Sequence, residues 1–140
     1  ICEDLPEEHN TVSLHPDLTD SNGIPAPRID YTLGENSRRM LNFSIARATE
    51  VLEAAGGTGV MVESPLAEGG WHLMGTARMG IDPERSVVNE WGRCHDVKNL
   101  FIVDGSLFVT SGGVNPTRTI QALALYVADA MKQRLANLFD

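Results

Sequence analysis

Residues 115–131 read N-P-T-R-T-I-Q-A-L-A-L-Y-V-A-D-A-M, and this stretch anchors the reading of the fold. Asn115 suits a helix N-cap, and Pro116 suits the first helical position, where its missing N–H costs nothing. Ile120, Leu123, Ala124, Val127 and Met131, continued by Leu135 and Leu138, recur at three- and four-residue steps. That spacing puts one apolar stripe on a C-terminal helix, and core packing is its ordinary role.

Working outward, Glu35 to Ala55 repeats the helical pattern through Leu41, Ile45, Ala48, Leu52 and Ala55, and Gly56-Gly57 ends it. Thr11 to Leu14 and Arg28 to Leu33 alternate as strands, with Asp20-Ser21-Asn22-Gly23 as the turn chemistry between them, so a hairpin-like pair is expected. Val60 to Val62 reads as a brief strand. Leu100 to Val103 reads as a continuous apolar strand covered on both faces. Such a strand needs neighbours, and this chain offers few, so pairing with a sheet from another segment is expected. Residues 70–99 are loop-rich. The fold class expected is α+β: mostly antiparallel strands, one central helix and one C-terminal helix.

The 140 residues carry 42% hydrophobic and 21% charged side chains, a globular balance for one domain, 1–140. A net charge of −8 argues against a nucleic-acid partner, which needs a concentrated basic face. No stretch is long and apolar enough to span a bilayer. Cys2 and Cys94 make neither a disulfide framework nor a CxxC pair, and Cys94 beside His95 is too few ligands for a metal, so no metal site is expected. The start, Ile1-Cys2-Glu3-Asp4, lacks a signal peptide's basic and apolar regions and an initiator Met, and reads as cut from something longer.

GxGxxG, GxxxxGK[ST], HExxH and GxSxG are all absent, which removes support for phosphoryl-transfer and hydrolytic chemistry. Two runs remain. The first is Gly69-Gly70-Trp71-His72-Leu73-Met74-Gly75-Thr76-Ala77-Arg78-Met79-Gly80. Its glycines let backbone pack close to a flat ligand or another chain, and His72 is a candidate acid/base. The second joins Asn99 to Ser106 with Gly112 to Thr117. Asp104 stands at the end of an apolar run, where a sugar hydroxyl is often held, and the helix start offers N–H groups to negative charge. Taken singly, each run reads as ordinary structure: a hydrogen-bonded histidine, a capped helix after a glycine loop.

Together the two runs resemble the C-terminal signature of the glucose–methanol–choline (GMC) oxidoreductases. His72 occupies the family's WH-x-x-G-T-x-x-M-G context, Asp104-Gly105-Ser106 matches its Asp-Gly or Asp-Ala-Ser step, and Asn115 to Ala124 matches N-P-T-x-T-I-x-A-L-A. The earlier stretch, with Asn10 to Leu14, Asp20 to Pro25 and Ala54-Ala55-Gly56, resembles the family's substrate domain.

The resemblance implies an FAD-dependent enzyme that oxidises an alcohol to a carbonyl by hydride transfer to flavin. It implies His72 as the group accepting the hydroxyl proton and Asn115 as its partner on the substrate oxygen. Asp104, Gly105, Asn115, Pro116 and Thr117 would contact the cofactor, and Trp71 and Met74 would either line the substrate side or fill the core near His72. The family's glycine-rich FAD-binding half is absent from these residues, so the chain alone is expected to bind FAD poorly, to show no turnover, and to self-associate through surface that half would cover. The alternative is a non-catalytic domain that uses the same exposed face for oligomerisation or partner binding.

Overall fold

The computed structural model describes residues 2–65 and 70–134. Its elements run β1 (Thr11–Thr19), β2 (Pro25–Asp30), α1 (Glu35–Ala54), a single 3-10 turn (Gly105–Leu107) and α2 (Thr117–Arg134). The class is α+β, as the patterning predicts.

The hairpin forms, with longer β1 and earlier β2 than alternation suggests. Thr11 pairs with Asp30, Val12 with Ile29, Ser13 with Arg28 and Leu14 with Pro27; the register then slips, and Thr19 pairs with Pro25. Pro16 lies inside the slipped stretch, where the ladder asks no N–H of it. His15 holds that bulge: its Nδ1 accepts from the backbone N–H of Asp17 (3.1 Å) and Leu18 (3.0 Å). Asp20 builds the turn, its Oδ1 accepting from Asn22 N–H (2.8 Å) and Ile24 N–H (2.9 Å), while Gly23 takes φ 79°. Tyr31 and Leu33, expected on β2, lie beyond it. Reciprocal bonds between the Asn10 side chain and the Thr32 backbone, and Tyr31 Oη donating to Asp4 Oδ2 (2.6 Å), tie this end to the first residues.

α1 ends as its glycines require. Gly56 takes φ 88°, its N–H bonds the Glu53 carbonyl (2.9 Å), and Gly57 N–H bonds the Leu52 carbonyl (2.9 Å). This is the paired 5→2 and 6→1 closure that satisfies the last carbonyls. The helix is pinned at its other end by buried Ser37, whose Oγ accepts from Leu5 N–H (3.1 Å). Between these ends the expected apolar face is not buried. Leu41 and Ile45 are half-buried, while Ala48, Leu52 and Ala55 are exposed, as are Phe43 and Val51 on other faces. Among the described residues β1 and β2 are the one pair of elements in extensive contact.

The core sits elsewhere, where loops close on α2. Val88, Cys94, Leu107 and Val127 are buried, with Met79, Ile102, Phe108 and Leu123 packed against the first three. Most of its walls are irregular backbone, so their polar groups must be paired one by one. Ala77 N–H bonds the Ser106 carbonyl (2.9 Å), Met79 N–H the Leu107 carbonyl (2.8 Å), Gly80 N–H the Val88 carbonyl (2.8 Å) and Cys94 N–H the Leu100 carbonyl (2.9 Å).

Two expected strands do not form. Val60 to Val62 joins no sheet, and Met61 and Val62 are exposed. Leu100 to Val103 makes one isolated bridge, Phe101 to Arg93, and Leu100 and Val103 are exposed. A continuous apolar run specifies burial on two faces but supplies no ladder partners, and among the described residues the 88–94 turn is what comes alongside. α2 starts one residue late: Ile120 N–H bonds the Pro116 carbonyl (3.0 Å), so Pro116 is the half-in residue and Thr117 the first helical one. Ile120, Leu123, Ala124, Val127 and Met131 of its stripe are at least half-buried; Leu135 and Leu138 lie outside the described residues.

Gly92 and Gly23 separate backbone strain from crowding. Both have positive φ, 69° and 79°, but a Cβ at Gly23 meets open space whereas one at Gly92 collides with the Ile102 carbonyl. Gly23→Ala is expected to cost about 1–2 kcal/mol through conformation alone. Gly92→Ala adds an overpacking cost of roughly 1–3 kcal/mol. Urea unfolding of the two variants checks the order.

Candidate active site

The two runs singled out in the sequence meet at Gly105. A Cβ there would stand 3.1 Å from Ile120 Cδ1 on α2, 3.5 Å from Met74 Cγ and 3.6 Å from the Leu73 carbonyl oxygen. A glycine therefore lets the segment after His72, the Asp104 turn and the first turns of α2 pack on one point. Gly75 continues the contact: at φ 86° it lies against the Phe108 carbonyl, 3.2 Å from where its Cβ would be. The Ala77 and Met79 bonds to Ser106 and Leu107 then lock the two segments side by side.

Around this point the predicted residues are presented outward. His72 is exposed, and its imidazole has no hydrogen-bond partner among the described residues. Trp71 is 85% exposed, so it does not fill the core near His72; Met74 is half-buried and lies against Gly105. Asn115 and Thr117 are exposed and Pro116 is half-buried at the open end of α2. The loop before them leaves open space around Gly112, and Gly113 takes φ 69°. The first-turn N–H groups of α2 have no intrahelical acceptors, as at any helix start. Gly69, the first residue of the His72 run, lies outside the described residues.

Asp104 is the best-ordered of the predicted side chains. Its Oδ1 accepts from Ser106 N–H (2.8 Å) and from Ser106 Oγ (2.6 Å), which starts the 3-10 turn. These bonds, the hydroxyl's first and the backbone's second, hold its carboxyl below the usual carboxylate range against a smaller opposing effect of burial. Oδ2 keeps its lone pairs for an outside donor.

Sequence reading passed over one arrangement, because its members are distant in the chain. His95 Nε2 lies 3.1 Å from the Gly80 carbonyl oxygen and 3.0 Å from Ser86 Oγ, and Ser86 Oγ donates to the Asp82 carbonyl (2.5 Å). The signal available was Gly80 itself: a Cβ there would come within 2.9 Å of Ser86 Cβ. Beside this cluster is an open groove of about 510 Å³, lined by Glu7, Glu8, Arg78, Asp82 and Arg85 among others. None of His72, Asp104 and Asn115 lines it.

Ser106→Ala should raise the Asp104 pKa toward the ordinary carboxylate value, as read by carboxyl NMR titration. Because the folded value is depressed, the stability Asp104 contributes is present above the ordinary carboxylate range and is lost as pH falls through the folded value. The variant should therefore lose its disadvantage in stability at the acid end.

A family model described as GMC oxidoreductase matches residues 6–124. The chain is 47% identical to 2-methyl-1,2-propanediol dehydrogenase of Mycolicibacterium austroafricanum over 99% of its own length and 25% of that protein's. It is 44% identical to 6'''-hydroxyparomomycin C oxidase of Streptomyces lividus, over 97% of this chain and 25% of the relative. It is 40% identical to the fructose dehydrogenase large subunit of Gluconobacter japonicus, over 92% and 24%. The chain thus spans about a quarter of the length of the curated relatives it matches. The chain belongs to the GMC oxidoreductase family.

Proposed function

We propose that this chain is the catalytic C-terminal part of an FAD-dependent oxidoreductase that acts on CH–OH groups and converts an alcohol to a carbonyl. The observation that carries the reading is the junction at Gly105, where Met74, two residues after His72, and Ile120, in the second turn of α2, touch the same glycine.

The residues present fit the cofactor that the family generally uses. Asp104 stays ionised to low pH and keeps Oδ2 unpaired, so it suits hydroxyl donors of the ribityl chain and repels phosphate. The open N-terminus of α2 suits the opposite character, a ring edge that gathers negative charge. FAD, when bound, supplies the two-electron oxidation by taking hydride from the carbinol carbon. The chain's own residues manage the rest. His72 accepts the hydroxyl proton, which an exposed imidazole without a competing partner is free to do. Asn115 donates from Nδ2 to the substrate oxygen and keeps it in place as its charge changes. Thr117 and the N–H groups behind it would hold the cofactor's negatively charged edge.

The glycine-rich FAD-binding portion is assigned to a further part of the same protein, and the uncovered apolar residues of α1 and the hairpin to its interface. These residues alone are then expected to bind FAD poorly and to self-associate. Substrates named for the relatives include a diol and a sugar, so a test panel begins with polyols.

The test is anaerobic flavin reduction in the full-length protein. An alcohol from the panel should bleach the oxidised flavin band of the wild type. His72→Ala should keep its flavin while the reduction rate falls by about 10²–10⁴-fold. Retained flavin with an undiminished rate would remove His72 from its role.

A further inference from the structure

Gly80 closes the loop that begins at His72, and both of its backbone polar groups are committed. Its N–H bonds the Val88 carbonyl at 2.8 Å, and its carbonyl oxygen lies 3.1 Å from His95 Nε2. A carbonyl only accepts, so Nε2 carries the hydrogen, which settles the tautomer. Ser86 Oγ donates to the Asp82 carbonyl and so receives a share of the same Nε2–H. The ring is therefore spent as a donor and is not a base for Ser86.

His95 is itself firmly held. Its N–H bonds the Val87 carbonyl at 3.0 Å, and the preceding Cys94 is part of the buried core. The imidazole thus ties the hydrogen-bonded 87–95 turn to the last residue of the 72–80 loop. One residue upstream of Gly80, Met79 N–H bonds Leu107, and two before that Ala77 N–H bonds Ser106. These bonds set how the His72 loop lies against the Asp104–Leu107 turn, and through Gly105 against α2.

We propose that His95 is a positioning residue: it clamps the Gly80 carbonyl so that His72 is held in register with Asp104 and Asn115. The proposal rests on the reading of His72 given above. Misplacing a reacting group by about 1 Å is enough to cost roughly 10²-fold in rate, so a contact this far from the chemistry can set it.

The experiment uses the full-length, flavin-loaded protein with His95→Phe, His95→Gln, Ser86→Ala and His72→Ala. Hydrogen–deuterium exchange over residues 75–80 reads the clamp without any substrate. Exchange should speed up in His95→Phe and return toward wild type in His95→Gln, whose side-chain amide can donate to the same carbonyl. With 2-methyl-1,2-propanediol, fructose and the rest of the polyol panel, His95→Phe should lower kcat by about tenfold or more with little change in KM, and flavin should stay bound. His95→Gln should recover most of the rate. Ser86→Ala, which leaves Gly80 clamped, should stay near wild type.

Unchanged exchange in His95→Phe overturns the proposal, as does a His95→Gln variant no better than His95→Phe. Loss of flavin from His95→Phe, with the rate loss tracking the empty fraction, assigns His95 to folding alone and also overturns it. His72→Ala separates the two readings. If it abolishes flavin reduction while His95→Phe does not slow it, only the role of His95 fails. If it reduces flavin at the wild-type rate, the reading of His72 fails, and His95 loses the group it positions.

Discussion

The pairing of irregular backbone around Leu107 is the constraint on which the rest depends. Among the described residues no sheet lines the core, so each buried N–H and carbonyl needs its own partner, and the 77–80 segment finds them on Ser106, Leu107 and Val88. An unpaired buried group costs on the order of 1–3 kcal/mol, while a single intramolecular bond nets about 1 kcal/mol. The set is therefore cooperative: losing the register of one segment strands several groups at once. That cooperativity lets a loop, rather than a strand or helix, hold the histidine that the family resemblance singles out.

Apolar burial supplies much less of the order here than the composition suggests. Hydrophobic residues make up 42% of the sequence, yet Val12, Leu14, Ile29, Phe43, Val51 and Leu52 are all more than half exposed. At about 25 cal/mol per Å² of apolar surface, covering that flank would add favourable free energy that this chain does not itself realise. The hairpin and α1 are consequently shaped by local chemistry: Asp20 and Gly23 in the turn, His15 in the bulge, Gly56 and Gly57 at the helix end. Their positions do not follow from packing against each other.

Local chemistry was also what the sequence made legible. Gly56-Gly57, Asp20 to Gly23 and the α2 stripe act within a few residues, and each does in the structure what its residue types require. Leu100 to Val103 failed for the opposite reason. Apolarity states that a segment wants cover, whereas a strand needs a partner backbone, and the partner is not written in the segment itself. The apolar positions of α1 failed similarly, since periodicity names a face without naming what covers it. At the site, resemblance singled out His72, Asp104 and Asn115, and the structure brings their segments to one glycine. His95, considered beside Cys94 for metal binding and set aside, could not be given this role because its meaning comes from Gly80 and Ser86, fifteen and nine residues away.

The charges around Gly105 have a polarity that composition hides. A net charge of −8 says only that the chain is acidic. Gly105 follows a carboxylate whose ionised form Ser106 favours, and a Cβ on it would lie 3.1 Å from Ile120 of α2, the helix whose open start carries partial positive charge. A ligand spanning the two would meet an acceptor at one end and donors at the other. On the proposed reading this orients a flavin: hydroxyls toward Asp104, the electron-accepting ring edge toward Asn115 and Thr117. On the same reading the orientation would be set by backbone and by one short carboxylate–hydroxyl bond, fixed dipoles of the kind that lower a barrier without reorganising. His72 then needs no special environment of its own. On that reading it would have only to be held where the hydroxyl proton leaves, a matter of loop geometry to which the backbone pairing around Leu107 contributes.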